Sequence, residues 1–579
     1  NGNGTSSLYT EGLIASGVIP FGTTVAVKDP DGYWREYTTS GGQTAGGGGS
    51  LKLNFTDDPD WSIASGAEVK LYYLGAGAAT RYDAFDWQHR NVGDQETNPL
   101  PAFVTGEIND IFFYENRLGV LSGESVTLSE AGEFFNFFRT TVIDLLDTAP
   151  IEVVGSSNTV NTLRHAKPFN GNLLLFGDNT QFMLGSGNDA LTPQTVSMTQ
   201  VGNYECDPNC SPTIGGNSVY FAYPRGRYGG LQEMVIQDAD ARAITAFDLT
   251  DSVPSYVENP LRDIVAIPQE NLIVGLPDPT DGNMEDLYLY KYLDRGNERV
   301  QSAWFKFSFA LPGETDDTRQ IIGIHTVEST LYIVSRFTDG TYGKTMIHKM
   351  DFSTDGVTDL FDLPPLVDDI VSYLGTDGDV TASHDDITDI TTFTIPYSGI
   401  GKNANDFTII TKFHSGDDGG LATTPTGGTF TSEDETLLTL NGDQTALHVW
   451  IGVLYTMTYT YAQPIFKGPS SGGGSSLVTS GRYQIHSADI VFHDTNTFDV
   501  AVAVQGRSNF SYTYLADTTQ VDVVTEGAIG LGEGNMRIPI HSKNDRYDFT
   551  ITSISPFPVK LLSTEFEAQY NARSRRAGI

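Results

Sequence analysis

Between residues 105 and 350 one pattern returns five times: a short apolar run, a turn, then a second strand-prone run. The first runs are Leu118–Ser122, Leu173–Gly177, Val219–Tyr223, Leu272–Leu276 and Leu331–Ser335. Their partners are Val126–Ser129, Gln181–Leu184, Gln232–Ile236, Asp286–Tyr292 and Thr345–Met350. The repeat length is roughly 45–60 residues, the range of propeller blades and not of helical repeats. One such unit cannot bury both of its faces; stacking copies into a ring buries the faces and removes open edges. The pattern therefore predicts a mainly β chain: a β-propeller over 101–350 with five recognisable blades, or up to seven if divergent copies escape the eye. Three copies begin with a small polar cluster, Asn170-Gly171-Asn172, Gly215-Gly216-Asn217 and Glu328-Ser329-Thr330, where a turn should enter a strand.

The densest single stretch is Asn98–Ser129. Asp110–Tyr114 is a short apolar and aromatic strand, and Leu118–Ser122 and Ser125–Ser129 form a hairpin joined by Gly123-Glu124. Gly at the first loop position suits a type II′ turn, which needs positive φ there. Residues 1–100 form an N-terminal β region with strands expected at Thr23–Lys28, Tyr33–Thr38, Leu51–Phe55 and Glu68–Leu74, and a Gly46–Gly49 loop tip. Residues 351–475 are an acidic, Thr/Gly-rich insert region, including Gly375–Asp386 and Ser415–Gly420. It ends in Leu447–Tyr461, read as one long strand or two broken at Gly452, and then Ser470–Ser476, read as a linker or exposed loop. Residues 476–579 return to strands (Tyr483–Ile485, Ile490–His493, Phe498–Val504, Phe510–Leu515, Arg537–Ile540, Tyr547–Ile554, Lys560–Tyr570), expected as a β-sandwich or barrel-like module.

The 579 residues suffice for roughly three to four domains. Hydrophobic residues at 39% against 18% charged argue for packed cores rather than disorder, and no apolar run is long enough to span a bilayer. The start, Asn1-Gly2-Asn3-Gly4, has no signal-peptide pattern and no Met, which marks a trimmed beginning. The net charge of −39 disfavours specific nucleic-acid binding, because such a chain does not hold a phosphate backbone by charge neutralisation. It suits solubility first, and is compatible with an acidic conduit whose wall repels DNA.

Few residues point to chemistry. Cys206 and Cys210 either close a very small disulfide loop or are two free thiols in a turn; no second pair of ligands makes them a zinc site. Asp281, Asn283 and Glu285 echo the start of a calcium loop, but its glycine and its distal glutamate are out of place. Asp377, Asp379, Asp385 and Asp386 read as an acidic loop before a cation site. Trp304, Phe305, Phe307 and Phe309 alternate in AWFKFSF, as a sugar-stacking surface would and as a buried blade strand would more simply. Among 73 carboxylates some close pair is inevitable, so pairing alone is no glycosidase signal. No catalytic, cofactor or metal residue is assigned, and Arg573-Ser574-Arg575-Arg576 reads as a solvated basic tail or a contact to an acidic neighbour.

From Phe103-Val104 through Asn116-Arg117-Leu118-Gly119 the chain resembles the tail tubular protein B (nozzle) family of short-tailed, podovirus-type bacteriophages. The resemblance resumes at Asn170–Leu184, Ala246–Pro254, Val300–Trp304, Leu447–Tyr455, Ser480–Tyr483 and Pro556–Pro558, and closes on Glu565–Arg576, in the right order. Residues 1–97 match poorly apart from Trp87–Asp94; the family's usual longer N-terminal region is missing, and the insertions near 46 and 375–435 are particular to this sequence. The resemblance implies a non-enzymatic virion tail protein, assembled in the host cytoplasm. It implies a homo-hexameric ring below the adaptor-ring tail protein (tail tubular protein A type), holding the tail fibre protein and gating passage of double-stranded DNA without specific binding. A tail-associated glycan hydrolase and a carbohydrate-binding adhesin are the rival readings.

Overall fold

The computed structural model describes residues 87–572 except 156–160, 188, 239–242, 279–284, 297, 310–319, 340–341, 353–364, 374–378, 398, 400–401, 412–421, 431–434, 466, 470–474, 478–480 and 517–529; before residue 87 it describes only strand backbone. The chain divides into two compact units, Asn1–Gln88 and His89–Ile579. In the first, Thr24–Lys28 pairs with both Trp34–Thr38 and Val69–Leu71, and Ser7–Glu11 pairs with Ser50–Asn54. The four strands expected there are present within a residue or two where described; Phe55, the end of Glu68–Leu74 and Gly46–Gly49 lie outside the described residues.

The second unit begins with five consecutive antiparallel meanders. The first comprises Asp110–Tyr114, Arg117–Ser122, Ser125–Leu128 and Ile151–Val154; the second, Leu163–Phe169, Asn172–Gly177, Gln181–Gly185 and Ser197–Gly202. The third comprises Thr213–Gly215, Ser218–Arg225, Tyr228–Asp238 and Ala243–Asp248; the fourth, Leu261–Ile267, Leu272–Pro277, Asp286–Arg295 and Glu298–Ser308. The fifth has three strands, Gln320–Val327, Thr330–Asp339 and Tyr342–Asp351. The five apolar runs read from the sequence are the second strands of these sheets, and their partners are the third strands.

The turns follow from residue chemistry. Gly123 sits at φ +57 while Glu124 is not in the positive-φ region, the backbone a type II′ hairpin requires. Asn170 and Gly171 both take positive φ, as do Glu115 and Asn116, matching type I′ turns. Gly216 (+61) and Glu328 (+54) complete the polar-cluster turns expected at strand entries.

Each sheet packs face to face on the next. Phe112, Leu121 and Val126 of the first meet Leu173, Leu175 and Phe182 of the second. The other side of the second sheet, through Leu174 and Phe176, meets Val219, Phe221 and Met234 of the third. Tyr220 and Leu231 then meet Ile273, Tyr288 and Tyr290 of the fourth, and Val274, Leu287 and Leu289 meet Ile324, Leu331 and Ile333 of the fifth. The second to fourth sheets are thus apolar on both faces, which is why their strands read as unbroken hydrophobic runs. Burying one such Leu or Phe contributes about 1.5–3 kcal/mol.

Residues 368–453 form two facing four-stranded sheets around Phe393, Phe407, Ile409, Leu438, Val449 and Ile451. The last part pairs Met457–Thr460, Tyr547–Ser553, Thr497–Val504 and Phe510–Leu515 in one sheet and Gly532–Lys543, Gly481–Thr495 and Lys560–Ala572 in another, across a core of Ile490, Phe498, Val500, Ile538 and Phe549. Tyr483–Ile485 and Ile490–His493, read as separate strands, are one strand whose register shifts between Ile485 and Ser487. Ser475–Leu477 pairs with Lys467–Pro469, so the Ser/Gly stretch read as a linker is in part a hairpin strand.

Leu447–Tyr461 is two strands, Val449–Val453 and Met457–Thr460, in different sheets. The break falls at 454–456, not at Gly452, which stays inside the ladder because the chain needs its missing side chain there. A Cβ on Gly452 would lie 2.5 Å from Val367 Cγ2 and 2.9 Å from the Asp368 carbonyl oxygen. Gly452→Ala is expected to lower stability by about 1–3 kcal/mol, read as a shift in urea midpoint at unchanged slope; an unshifted midpoint contradicts the close approach.

Candidate functional site

Three polar constellations are built into the stacked sheets, and each carries residue types that could do chemistry. The first grows from the Glu115-Asn116 turn, which delivers Arg117 to the start of a strand facing inward. Arg117 is 1% exposed. Its Nη1 donates to the carbonyls of Ser129 (2.6 Å), Ala149 (2.8 Å) and Thr148 (3.2 Å), and its Nη2 to that of Asp147 (3.1 Å). Burial pulls its pKa down and the nearby Glu130 carboxylate opposes this. The fork thus clamps both ends of the 129–149 excursion through four backbone carbonyls, one of which, that of Thr148, also accepts from the Ala131 amide at 3.0 Å.

The second lies between the third and fourth sheets. Arg299 binds both oxygens of Glu233, whose side chain is 7% exposed, and reaches Asp294 through Nε (2.9 Å) and Nη2 (3.2 Å). Tyr220 donates to Glu233 Oε1 at 3.0 Å, and the guanidinium lies 4.4 Å from the Tyr292 ring centre. Burial lowers the Arg299 pKa, but its bonds to Asp294 and Glu233 outweigh that and raise it. This carboxylate pair has an aromatic surround, as a glycosidase would need. One guanidinium bridges the two acids, however, and occupies the space where a glycosidic bond and water would sit.

The third joins the fifth sheet to the 368–453 sheets. Ser335 Oγ is 2.8 Å from His348 Nε2, and His348 Nδ1 is 2.9 Å from Asp369 Oδ1. The order is that of a nucleophilic triad, but Ser335 is 1% exposed. Lys402 Nζ also reaches Asp369 (3.4 Å), and Tyr397 donates to the Asp369 carbonyl (2.8 Å). A hydroxyl closed off from solvent cannot attack a macromolecular substrate; the arrangement fastens two sheets together.

The residues singled out in the sequence are dispersed. Asp281, Asn283 and Asp377 lie outside the described residues, as do Arg573–Arg576. Asp385 accepts from the Ile387 amide and the Thr388 hydroxyl, both at 2.9 Å; these bonds lower its pKa and make it a turn residue. Among the described residues no cluster of metal-ligating side chains occurs. Phe305, Phe307 and Phe309 pack into the core between the fourth and fifth sheets, and Trp304, on the opposite face, donates to the Leu249 carbonyl at 2.9 Å. The aromatic run is strand packing. An open depression of about 310 Å³ lies between the Glu115-Asn116 and Asn170-Gly171 turns, lined by Phe113, Tyr114, Pro168 and Phe169, and holds one carboxylate, Glu115. Among the described residues no helix is long and apolar enough to cross a membrane.

None of these constellations is a reaction centre, so likeness to known proteins decides the class. A family model described as bacteriophage nozzle protein matches residues 76–577. The chain belongs to the bacteriophage nozzle protein family. Members are virion tail components, and so is this chain. It is 28% identical over 531 residues to the tail tubular protein gp12 of Escherichia phage T7, covering 91% of this chain and 63% of that protein. The nozzle chain therefore spans less than two thirds of that relative. Among solved structures, Kluyvelomyces marxianus Hsv2 is 9% identical with a TM-score of 0.25, covering 50% of this chain and 79% of its own. An exo-β-1,3-galactanase from Phanerochaete chrysosporium is 11% identical with a TM-score of 0.22, covering 79% and 95%. Likeness this weak carries neither fold nor chemistry.

In the nozzle chain Cys206 and Cys210 are free, buried thiols. Cys206 packs between the second and third sheets and Cys210 between the third and fourth, so Asp207-Pro208-Asn209 carries them into different cores. Burial pushes the Cys206 pKa up to about 12, with Asp207 adding to it, and burial raises that of Cys210 too. Both thiols stay neutral in the fold while the unfolded chain ionises its thiols near pH 9.0, so stability is expected to fall as pH rises past about 9. A thiol reagent at pH 8 should find no fast-reacting group in the native chain and two after unfolding; fast native labelling contradicts the burial. Arg117→Met leaves four carbonyls without their donor and should cost about 3 kcal/mol, read as a lower urea midpoint together with new protease cleavage within 129–149.

Proposed function

We propose that this chain is a structural subunit of the distal tail tube, assembled as a hexameric ring that conducts and gates DNA ejection and anchors tail fibres. The single observation that carries the reading is the nozzle-family match across residues 76–577, and the tail tubular name of the T7 relative supports the tube. The five stacked meanders are read as propeller blades that do not bury the outer faces of the first and fifth sheets, where Ile111, Phe113 and Ile347 stay exposed, with 1–100 as an N-terminal β region, 351–475 as an insert region and 476–579 as a C-terminal β module. Subunits joined by heterologous contacts close into a ring around a pore when the rotation between neighbours closes.

The charge of −39 fits this use, since a wall of carboxylates lowers the affinity of passing DNA for the lumen. The expected partners are five further copies, an adaptor-ring tail protein above and a fibre protein at the side. The subunit is non-enzymatic in this reading; the Glu233 and Asp294 carboxylates, with their aromatic surround, are bridged by Arg299.

Negative-stain imaging with mass determination tests it, on the purified chain alone and mixed with the adaptor-ring protein. A six-fold ring with an axial hole in either sample is the expected result. A persistent monomer or trimer in both overturns the ring.

A further inference from the structure

The second to fourth meanders are covered on both faces, so the stack has two ends, and the ends differ in chemistry. On the outer face of the first sheet, the segment around Ala102–Val104 and the 129–149 excursion cover the centre, where Val120 and Thr127 are buried. Ile111 (59% exposed), Phe113 (54%) and Val154 remain open, with Val104 and Ile108 close by in the chain. Phe134 stacks edge-on against Phe113 at 5.1 Å. Residues 98–154 hold nine carboxylates and two arginines, and one of those, Arg117, is buried. This end is apolar and acidic.

On the fifth sheet, strand alternation sends Leu331, Ile333 and Met350 into the core and the intervening residues outward. Ile347 there is 71% exposed, next to half-buried Val334 and Tyr332, with Val327 also open. The same face carries Arg336, Lys349 and His325, all exposed, with Glu328 and Asp351 at its rim. On this face the cations Arg336 and Lys349 stand beside the apolar side chains, while the acids Glu328 and Asp351 lie at the rim.

We propose that the outer face of the fifth sheet docks onto the outer face of the first sheet of a second copy of this chain. This rests on the ring proposed above and names its surface. Ile347, Val334 and Tyr332 meet Ile111 and Phe113, while Arg336 and Lys349 meet carboxylates such as Glu107 and Glu115. The two faces are different surfaces, so the contact is heterologous and runs head to tail, the geometry that closes a ring. Charge complementarity sets the direction, because like ends would bring apolar patches together under like charge.

The test uses the full chain carrying Phe113→Cys and Ile347→Cys, treated with a short bis-maleimide cross-linker, with parallel mass measurement of the untreated sample alone and with the adaptor-ring protein. A covalent ladder rising to the hexamer is expected from the double variant and none from the parent or either single variant. A ring of hexameric mass without a ladder overturns the docking but leaves the ring intact; a cross-linked monomer of altered mobility overturns it in favour of closure within one chain. A monomer in every sample removes the ring and the docking together. Independently, Arg336→Glu with Lys349→Glu should weaken self-assembly at least tenfold while leaving the thermal midpoint of the monomer unchanged; equal assembly overturns the proposal.

Discussion

The constraint on which the rest depends is the face of a β-meander. A four-stranded sheet with apolar side chains on both sides has no stable place in water except between two others. From residue 110 to 351 every core of the stack is made jointly by neighbouring sheets: Phe176 of the second against Phe221 of the third at 5.6 Å between ring centres, Tyr220 of the third against Tyr292 of the fourth at 6.4 Å. No sheet there owns its core. Rigidity follows, since displacing one sheet exposes two interfaces at once.

Three sets of polar groups in this stack each solve a local problem. Arg117 ties the two ends of a long excursion together through its carbonyls. Arg299 neutralises Glu233 between two sheets and lies against Tyr292. His348 and Lys402 meet at Asp369, where the stack passes into the 368–453 sheets, and Asp369 takes φ +49 to present its carboxylate there. All three sets have residue types that elsewhere do catalysis. Here charges are matched by partners already in place and the hydroxyl of Ser335 is closed off, so the chemistry is spent on cohesion. That suits a structural tail protein, which must hold its shape.

How much of this could be read in the chain beforehand depended on the range of the cause. The repeat, its second and third strands and the turns at Gly123, Asn170-Gly171 and Gly216 are local, and the residues that decide them lie within a few positions of one another. The two cysteines could not be resolved from their spacing, because Asp207-Pro208-Asn209 allows either outcome; the sheet passing between the thiols separates them. Leu447–Tyr461 reads as one long strand or as two broken at Gly452, because glycine often ends strands, whereas this glycine is required by the approach of Val367, 85 residues away. Arg299 and Glu233 lie 66 positions apart, with no sequence signal to join them, and no sequence signal joins Arg117 to its carbonyl partners either.

By itself the sequence determined that this is a β protein of repeated meanders, rich in acid, without a motif for catalysis, and similar to tail proteins along most of its length. Side-chain alternation and turn chemistry act over a few residues, so these properties need no three-dimensional context. Only the tertiary structure decided which faces meet, which charges are bridged, where the thiols lie, and that both ends of the stack keep exposed apolar residues. Those outcomes depend on which distant surfaces come into contact, and contact between residues dozens of positions apart is set by packing the whole chain, not by any short stretch of it.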